Sequence, residues 1–335
     1  MPNDAAMTNK KKVLSTDTLA PVARALLAER DDTELVTFPN LATREEFLKV
    51  LETEAPVSAF VLGQTVISHD QIKAAQNLEV VARVGVGYDA IDIPALNEHQ
   101  LPLMTVGIAN SPSVAEHALF MMLWLARRAP EADAIVKDDR WNDRMTAMPF
   151  DLYEKTALIV GFGRIGSRAA KRCAAMDMTV QVYDPYVDAT AIKEAGHTHV
   201  TDLDAAVAQA DFVSLHCPKN QETLNMFNAD RLARMKPAAY LINTARGGIV
   251  DEAALDAALE SGRIAGAGLD VFALEPVEAD NPLLKRDNVI TSPHMAGVTV
   301  EARDRMGVAA IKNILSVFDN NIITENVINK EVLAR

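Results

Sequence analysis

Arg246 in Thr244-Ala-Arg-Gly-Gly248, Glu275 in Leu269-Asp-Val-Phe-Ala-Leu-Glu-Pro276 and His294 in Ser292-Pro-His294 each follow a short apolar run that reads as a β-strand. Their side-chain types make a chemical set. An arginine presents a planar fork that holds a carboxylate and polarises a neighbouring carbonyl. A histidine titrates in the range needed to exchange a proton with the oxygen of that carbonyl. A carboxylate beside the histidine orients the ring and supports its protonated form. The combination suits acid–base chemistry at the carbonyl of a 2-oxo acid. Singly, each residue reads equally well as a surface or turn residue, and it is their joint placement at three strand ends that carries weight. His216 and Asp270 stand at strand ends too, where an open α/β sheet lines its cleft.

The same half of the chain contains Thr156-Ala-Leu-Ile-Val-Gly161-Phe-Gly163-Arg164-Ile165-Gly166. Five mostly apolar residues suit a buried parallel strand, and the glycine spacing suits a tight turn into a helix over Ser167–Met176. Gly161 permits the bend, Gly163 lets a pyrophosphate approach the backbone, and Gly166 lets helix and strand pack closely. The amides and positive dipole end of the helix then face the phosphates. A second strand, Thr179–Tyr183, ends at Asp184, close to the ~20 residues past the glycines expected of a carboxylate that holds an adenosine ribose. Asp184 would repel a 2′-phosphate, and Gln181 and Tyr183 offer no cation to offset it, so NAD is expected over NADP.

These residues need a scaffold, and the chain supplies a regular alternation. Strand candidates in the first third are Lys12–Ser15, Leu35–Phe38, Ala59–Leu62, Val80–Arg83 and Leu103–Val106, with helices at Pro21–Arg30, Arg44–Glu54, Asp70–Gln76 and Ile93–Glu98. Alternation of this kind means a doubly wound parallel sheet. Arg83-Val84-Gly85-Val86-Gly87-Tyr88-Asp89 follows one of the strands. Its amides can receive a carboxylate, Arg83 can meet a phosphate or form a structural ion pair, and a plain strand-to-helix turn is an equal alternative. A helix starting near Asn110 is capped by Ser111 or Ser113, with Glu116 completing a capping box. It runs to about Arg128, and a second segment covers Glu131–Asp138. Met121, Met122 and Trp124 read as core. Trp141–Phe150 is irregular and could be an arm on a partner subunit. After Asp184 the alternation resumes through strands Phe212–His216, Tyr240–Asn243, Ala265–Val271 and Val289–Thr291. The helix Val300–Phe318 could return the chain to its first domain. His197-x-His199 with Asp202 reads as a solvated loop and not as a metal site.

Composition sets the outer bounds. The chain has 335 residues, 49% hydrophobic and 5% aromatic, long enough for two aliphatic-cored domains. Its net charge of −13 speaks against nucleic acid or an anionic membrane as partner. Cys173 and Cys217 read as reduced core thiols of a cytoplasmic protein. Met1–Lys12 is polar, a loose terminus and not a signal peptide. The longest apolar run, Ala118–Ala126, falls short of the ~20 residues of a membrane span.

Over nearly its whole length the sequence resembles the D-isomer-specific 2-hydroxyacid dehydrogenases. The most specific stretches are Gly161–Gly166, Leu215-His-Cys-Pro218, the run Met235–Gly248 through Asn-Thr-Ala-Arg, Gly268-Leu-Asp-Val-Phe272, Glu275-Pro and Ser292-Pro-His-Met-Ala-Gly297. The resemblance implies a Rossmann-type nucleotide domain, residues 110–297, inserted into a flavodoxin-like substrate domain, residues 1–109 and 298–335, in a homodimer. It implies catalytic Arg246, Glu275 and His294, and a substrate loop at Arg83, Val84, Gly85, Val86 and Gly87 for a small anionic 2-oxo or 2-hydroxy acid. NAD contacts are implied at Val114, Gly161, Gly163, Arg164, Ile165, Gly166, Asp184, His216, Cys217, Pro218, Thr223, Thr244, Ala245, Arg246, Asp270, His294 and Gly297. The nearest branches look like phosphoglycerate dehydrogenase and the glyoxylate/hydroxypyruvate reductases. The chain ends soon after its last helix, without the regulatory domain of many phosphoglycerate dehydrogenases, which weakens a feedback-regulated assignment. The formate-oxidising branch pairs its histidine with glutamine, and Glu275 argues against it. A dinucleotide-sensing, corepressor-like protein is the alternative, and the absence of a basic patch or an interaction tail favours the enzyme.

Overall fold

The computed structural model describes residues 10–40, 42–63, 65–88 and 91–334, so the readings for residues 1–9 and for Asp89 fall outside it. The chain divides into two compact units, residues 1–110 with 298–335, and residues 111–297.

The first unit is a five-stranded parallel sheet of β1 (Lys11–Thr16), β2 (Thr33–Phe38), β3 (Val57–Leu62), β4 (Gln76–Arg83) and β5 (Leu103–Met104), in the order β2-β1-β3-β4-β5. This is the flavodoxin-like order. All of β3 is buried, as a strand covered on both faces must be. One face packs under the helices Pro21–Ala28 and Val300–Phe318, through Ala23, Leu27, Met306, Ala310 and Ile314. Gly307 lets these helices touch, since a Cβ there would lie 2.9 Å from that of Ala23. Phe47, Leu51, Phe60 and Leu96 fill the other face.

The second unit is a seven-stranded parallel sheet. Its strands are β6 (Thr156–Val160), β7 (Thr179–Tyr183), β8 (Thr198–His199), β9 (Phe212–Leu215), β10 (Tyr240–Asn243), β11 (Gly266–Leu269) and β12 (Val289–Thr291). The order β12-β11-β10-β9-β6-β7-β8 is the Rossmann order extended by one strand, with the chain switching direction of progress between β6 and β9. Helix Ser111–Arg127 lies on this sheet with Met121 and Met122 fully buried and Trp124 partly so. Among the described residues no helix is long and apolar enough to cross a membrane.

Several local readings are corrected. Lys11 and Lys12 begin β1 rather than belonging to a loose terminus, and Gln76 begins β4 rather than ending a helix. Strand β5 stops at Met104, short of Val106. The helix starts at Ser111, which puts Ser113 inside its first turn, and Glu116 accepts from Arg172 at 2.8 Å instead of closing a capping box. The second segment runs Ala129–Lys137. His199 lies in edge strand β8 and His197 is buried, its ring edge-on to Phe162 at 5.8 Å, so this is no solvated loop. The 141–150 stretch is not uniformly an arm. Trp141, Met145 and Met148 are exposed, but Phe150 stacks on Tyr240 at 5.4 Å.

Candidate active site

Arg246, Glu275 and His294 follow β10, β11 and β12, three neighbouring strands of one sheet. Adjacent parallel strands lie ~4.8 Å apart, so their carboxyl ends deliver these residues to a common edge. Backbone bonds extend the ladder past the strand ends. Asp270 N donates to Asn243 O at 3.0 Å, Ser292 N to Leu269 O at 3.0 Å and His294 N to Asp270 O at 2.8 Å.

His294 Nδ1 meets Glu275 Oε2 at 2.7 Å, and Glu275 Oε1 accepts from Phe272 N at 3.0 Å. A carboxylate only accepts, so Nδ1 carries the hydrogen and Nε2 is left as the exchangeable site. His294 sits at φ 54°, a left-handed backbone that is costly for any residue with a Cβ. Asp270 holds it there. This buried carboxylate accepts from Ser292 Oγ at 2.5 Å, Met295 N at 2.8 Å and Ala296 N at 2.9 Å. The Arg246 turn has a similar clamp: buried Asn243 accepts from Ala245 N at 3.1 Å and donates to Arg246 O at 2.9 Å. The Arg246 guanidinium donates to Ala245 O at 2.7 Å. Gly247 brings this turn against the β11 loop, where any Cβ would collide with Phe272 O.

At the switch point the glycine turn forms as its spacing requires. Gly161 has φ +96°, and a Cβ on Gly166 would fall 1.9 Å from Gly161 O, so only glycine allows this strand–helix approach. Gly163 faces open space, with nothing within 4 Å of a Cβ built there. The helix Gly166–Ala175 begins at the turn, with Ser167 N donating to Gly163 O at 3.1 Å and Ala169 N to Ile165 O at 2.9 Å. Asp184 grips the turn through Phe162 N at 2.7 Å and accepts from Tyr186 N at 2.9 Å and Val187 N at 3.2 Å. His216 bonds Ser214 Oγ through Nε2 at 2.9 Å. The residue keeps some exposure, but its Nδ1 is enclosed and has no hydrogen-bond partner; Thr244 Oγ1 is likewise enclosed and unpartnered. Burial pushes the His216 pKa down to about 4 and the Cys217 thiol up to about 11. Thr223 turns its hydroxyl onto Pro218 O at 2.6 Å and so shapes the loop after β9. An open glycine cradle at the start of a helix, a carboxylate just past the neighbouring strand and two unpartnered polar atoms fit a dinucleotide.

A family model described as "D-isomer specific 2-hydroxyacid dehydrogenase, NAD binding domain" matches residues 119–296. The chain belongs to the D-isomer-specific 2-hydroxyacid dehydrogenase family. Its cofactor is NAD, held by the second unit. It is 40% identical to the D-3-phosphoglycerate dehydrogenase of Archaeoglobus fulgidus over 82% of this chain, which spans 51% of that protein. It is 38% identical to the glyoxylate reductase of Thermofilum pendens, over 87% of this chain and 86% of the relative. A solved structure from Thermus thermophilus superposes with a TM-score of 0.86 at 31% identity, covering 95% of this chain and 99% of that one. The chain thus spans about half the length of the first of these relatives.

The other expected residues lie as follows. Val114 is buried in the first turn of the helix Ser111–Arg127, and Gly297 ends the second unit. Arg83, in the first unit, is nearly buried and donates from Nε to Gly87 O at 3.0 Å, so it braces the 84–87 loop it precedes. Sequence reasoning missed His117, Ser214 and Asn243. Their roles are hydrogen bonds to residues distant in sequence or to a neighbouring turn, and a lone histidine on the apolar helix Ser111–Arg127 was the one available signal.

Proposed function

We propose that this protein is an NAD-dependent oxidoreductase that transfers a hydride between the nicotinamide and C2 of a small D-2-hydroxy acid or its 2-oxo counterpart. The observation that carries this reading is the 2.7 Å contact of His294 Nδ1 with Glu275 Oε2, one strand away from the Arg246 turn. Bound NAD supplies the hydride chemistry. Arg246 holds the carboxylate of the acid and polarises its carbonyl. His294 Nε2 gives the proton to the C2 oxygen during reduction and removes it during oxidation, while Glu275 fixes the ring. Gly161, Gly163, Arg164, Ile165 and Gly166 take the pyrophosphate and Asp184 the adenosine ribose. Thr244, Ala245, Asp270 and Gly297 serve the nicotinamide end, with Val114, His216, Cys217, Pro218 and Thr223 lining the rest. The amides of Val84, Gly85, Val86 and Gly87, braced by Arg83, receive the substrate carboxylate.

The exposed Val136, Trp141, Met145 and Met148 support a homodimer, which sedimentation would test. The free Cys173 and Cys217, with thiols raised to about 12 and about 11, fit a reducing cytoplasm. The deciding assay is NADH consumption with a panel of 2-oxo acids, including glyoxylate and phosphorylated three-carbon acids, at enzyme concentrations far below cofactor. Multiple turnovers are expected with at least one acid. His294→Ala should lower kcat by ~10²–10⁴-fold while NADH still binds. Stoichiometric binding without turnover across the panel, or full activity in His294→Ala, would overturn the proposal.

A further inference from the structure

We propose that His117 is a positioning residue for His294, acting through Ser292 and Asp270. His117 lies on the helix Ser111–Arg127, which packs tightly on β11: a Cβ on Gly268 would sit 3.0 Å from Met121. Its Nε2 is 2.9 Å from Ser292 Oγ, and that hydroxyl is 2.5 Å from Asp270 Oδ1. A hydroxyl has one hydrogen, and a carboxylate can only accept, so Ser292 donates to Asp270 and accepts from the ring. His117 is therefore the Nε2–H tautomer, and the hydrogens run in one direction along the chain His117, Ser292, Asp270.

The far end of this chain is the turn that carries His294. Asp270 receives the amides of Met295 and Ala296 on its carboxylate and the amide of His294 on its backbone oxygen. These bonds flank the left-handed His294 backbone on both sides. Three donors together fix the orientation of this carboxylate, and bonds in such a chain strengthen one another. His117 fixes the donor that comes from outside the turn's backbone. Its side chain is only 22% exposed, and burial lowers its pKa against the opposing pull of Asp270 4.0 Å away, so at pH 7 the ring is a neutral donor. A His117 that only filled space beside Phe120, whose ring lies 5.6 Å off, would show no difference between glutamine and leucine in its place.

The inference rests on His294 as the proton carrier, so the test reads the turn and the turnover separately. Hydrogen exchange of a peptide covering residues 291–297 reports the Met295 and Ala296 amides with no substrate present. In His117→Leu their exchange should rise by roughly tenfold, the effect of losing one ordinary hydrogen bond. With NADH and the best 2-oxo acid, kcat should fall by a similar factor and the KM for the acid should stay within about twofold. His117→Gln, whose amide can donate to Ser292, should recover most of both. Ser292→Ala should match His117→Leu, and the double variant should be no worse than either, as members of one chain are non-additive. If His117→Leu fails to fold, Ser292→Ala carries the same readings. Unchanged exchange and unchanged kcat, or no recovery in His117→Gln, overturns the proposal. Should the wild type turn over no acid, the functional reading falls, and exchange alone decides the link from His117 to the turn.

Discussion

His216 makes the second unit sensitive to acid in a way that can be calculated. Its pKa falls from an ordinary 6.5 to about 4 because the ring is enclosed beside the glycine turn, where the charged form loses its hydration. Between these values the unfolded chain binds a proton that the folded chain refuses, so stability rises with pH across the interval. The contribution is fully present above the unfolded pKa and is lost as pH falls from about 6.5 towards about 4. At ~1.36 kcal/mol per pKa unit the full effect is about 3 kcal/mol. The perturbation is His216→Gln, which keeps a polar partner for Ser214 Oγ and removes the titration. Urea unfolding of both proteins at pH 7.5 and 4.5 is the assay. The wild type should lose about 2–3 kcal/mol more than the variant between the two pH values. Other histidines whose pKa is lowered by burial, His117 and His197, act equally in both proteins and cancel in the difference. Parallel losses would show that the ring is hydrated or protonated in the folded state, and the reasoning from burial would be wrong.

Gly166→Ala puts a Cβ 1.9 Å from Gly161 O, a backbone atom that cannot step aside, so NADH affinity by fluorescence titration should fall by at least about tenfold. Unimpaired binding would mean the turn is not the pyrophosphate site. Asp184 should make NAD bind at least about tenfold more tightly than NADP. In Asp184→Ser the preference should shrink while NAD binding itself weakens, because the same carboxylate anchors the Phe162, Tyr186 and Val187 amides. Equal affinity of the wild type for both cofactors would sink this assignment. Asn243→Ala removes the two bonds that the Asn243 side chain makes to the Arg246 turn, and kcat/KM for the acid should drop by about tenfold or more with NADH binding less affected.

The elements that position the site were legible because they rest on local rules. A buried parallel strand must be a short apolar run, and the turn Gly161-Phe-Gly163-Arg-Ile-Gly166 admits no side chain at its tight points. Arg246, Glu275 and His294 could be picked out because strand ends line the cleft of any open α/β sheet. Boundaries were less legible. Strand β8 is two residues long at a sheet edge, too short for any periodicity, and its place came only from pairing with β7. Ser113 and Glu116 match a capping box in sequence, yet Arg172 on another helix claims the carboxylate. What only the tertiary structure decided is who holds whom. Asp270 reads in sequence as a cofactor ligand, and only the fold shows that its carboxylate clamps the His294 turn as well. His117 is far from Ser292 along the chain and 2.9 Å from it in space, because one helix crosses β11 and β12. Secondary structure is written in neighbours a few residues apart, whereas hydrogen-bond partners and burial depend on packing between distant segments, which no local pattern encodes.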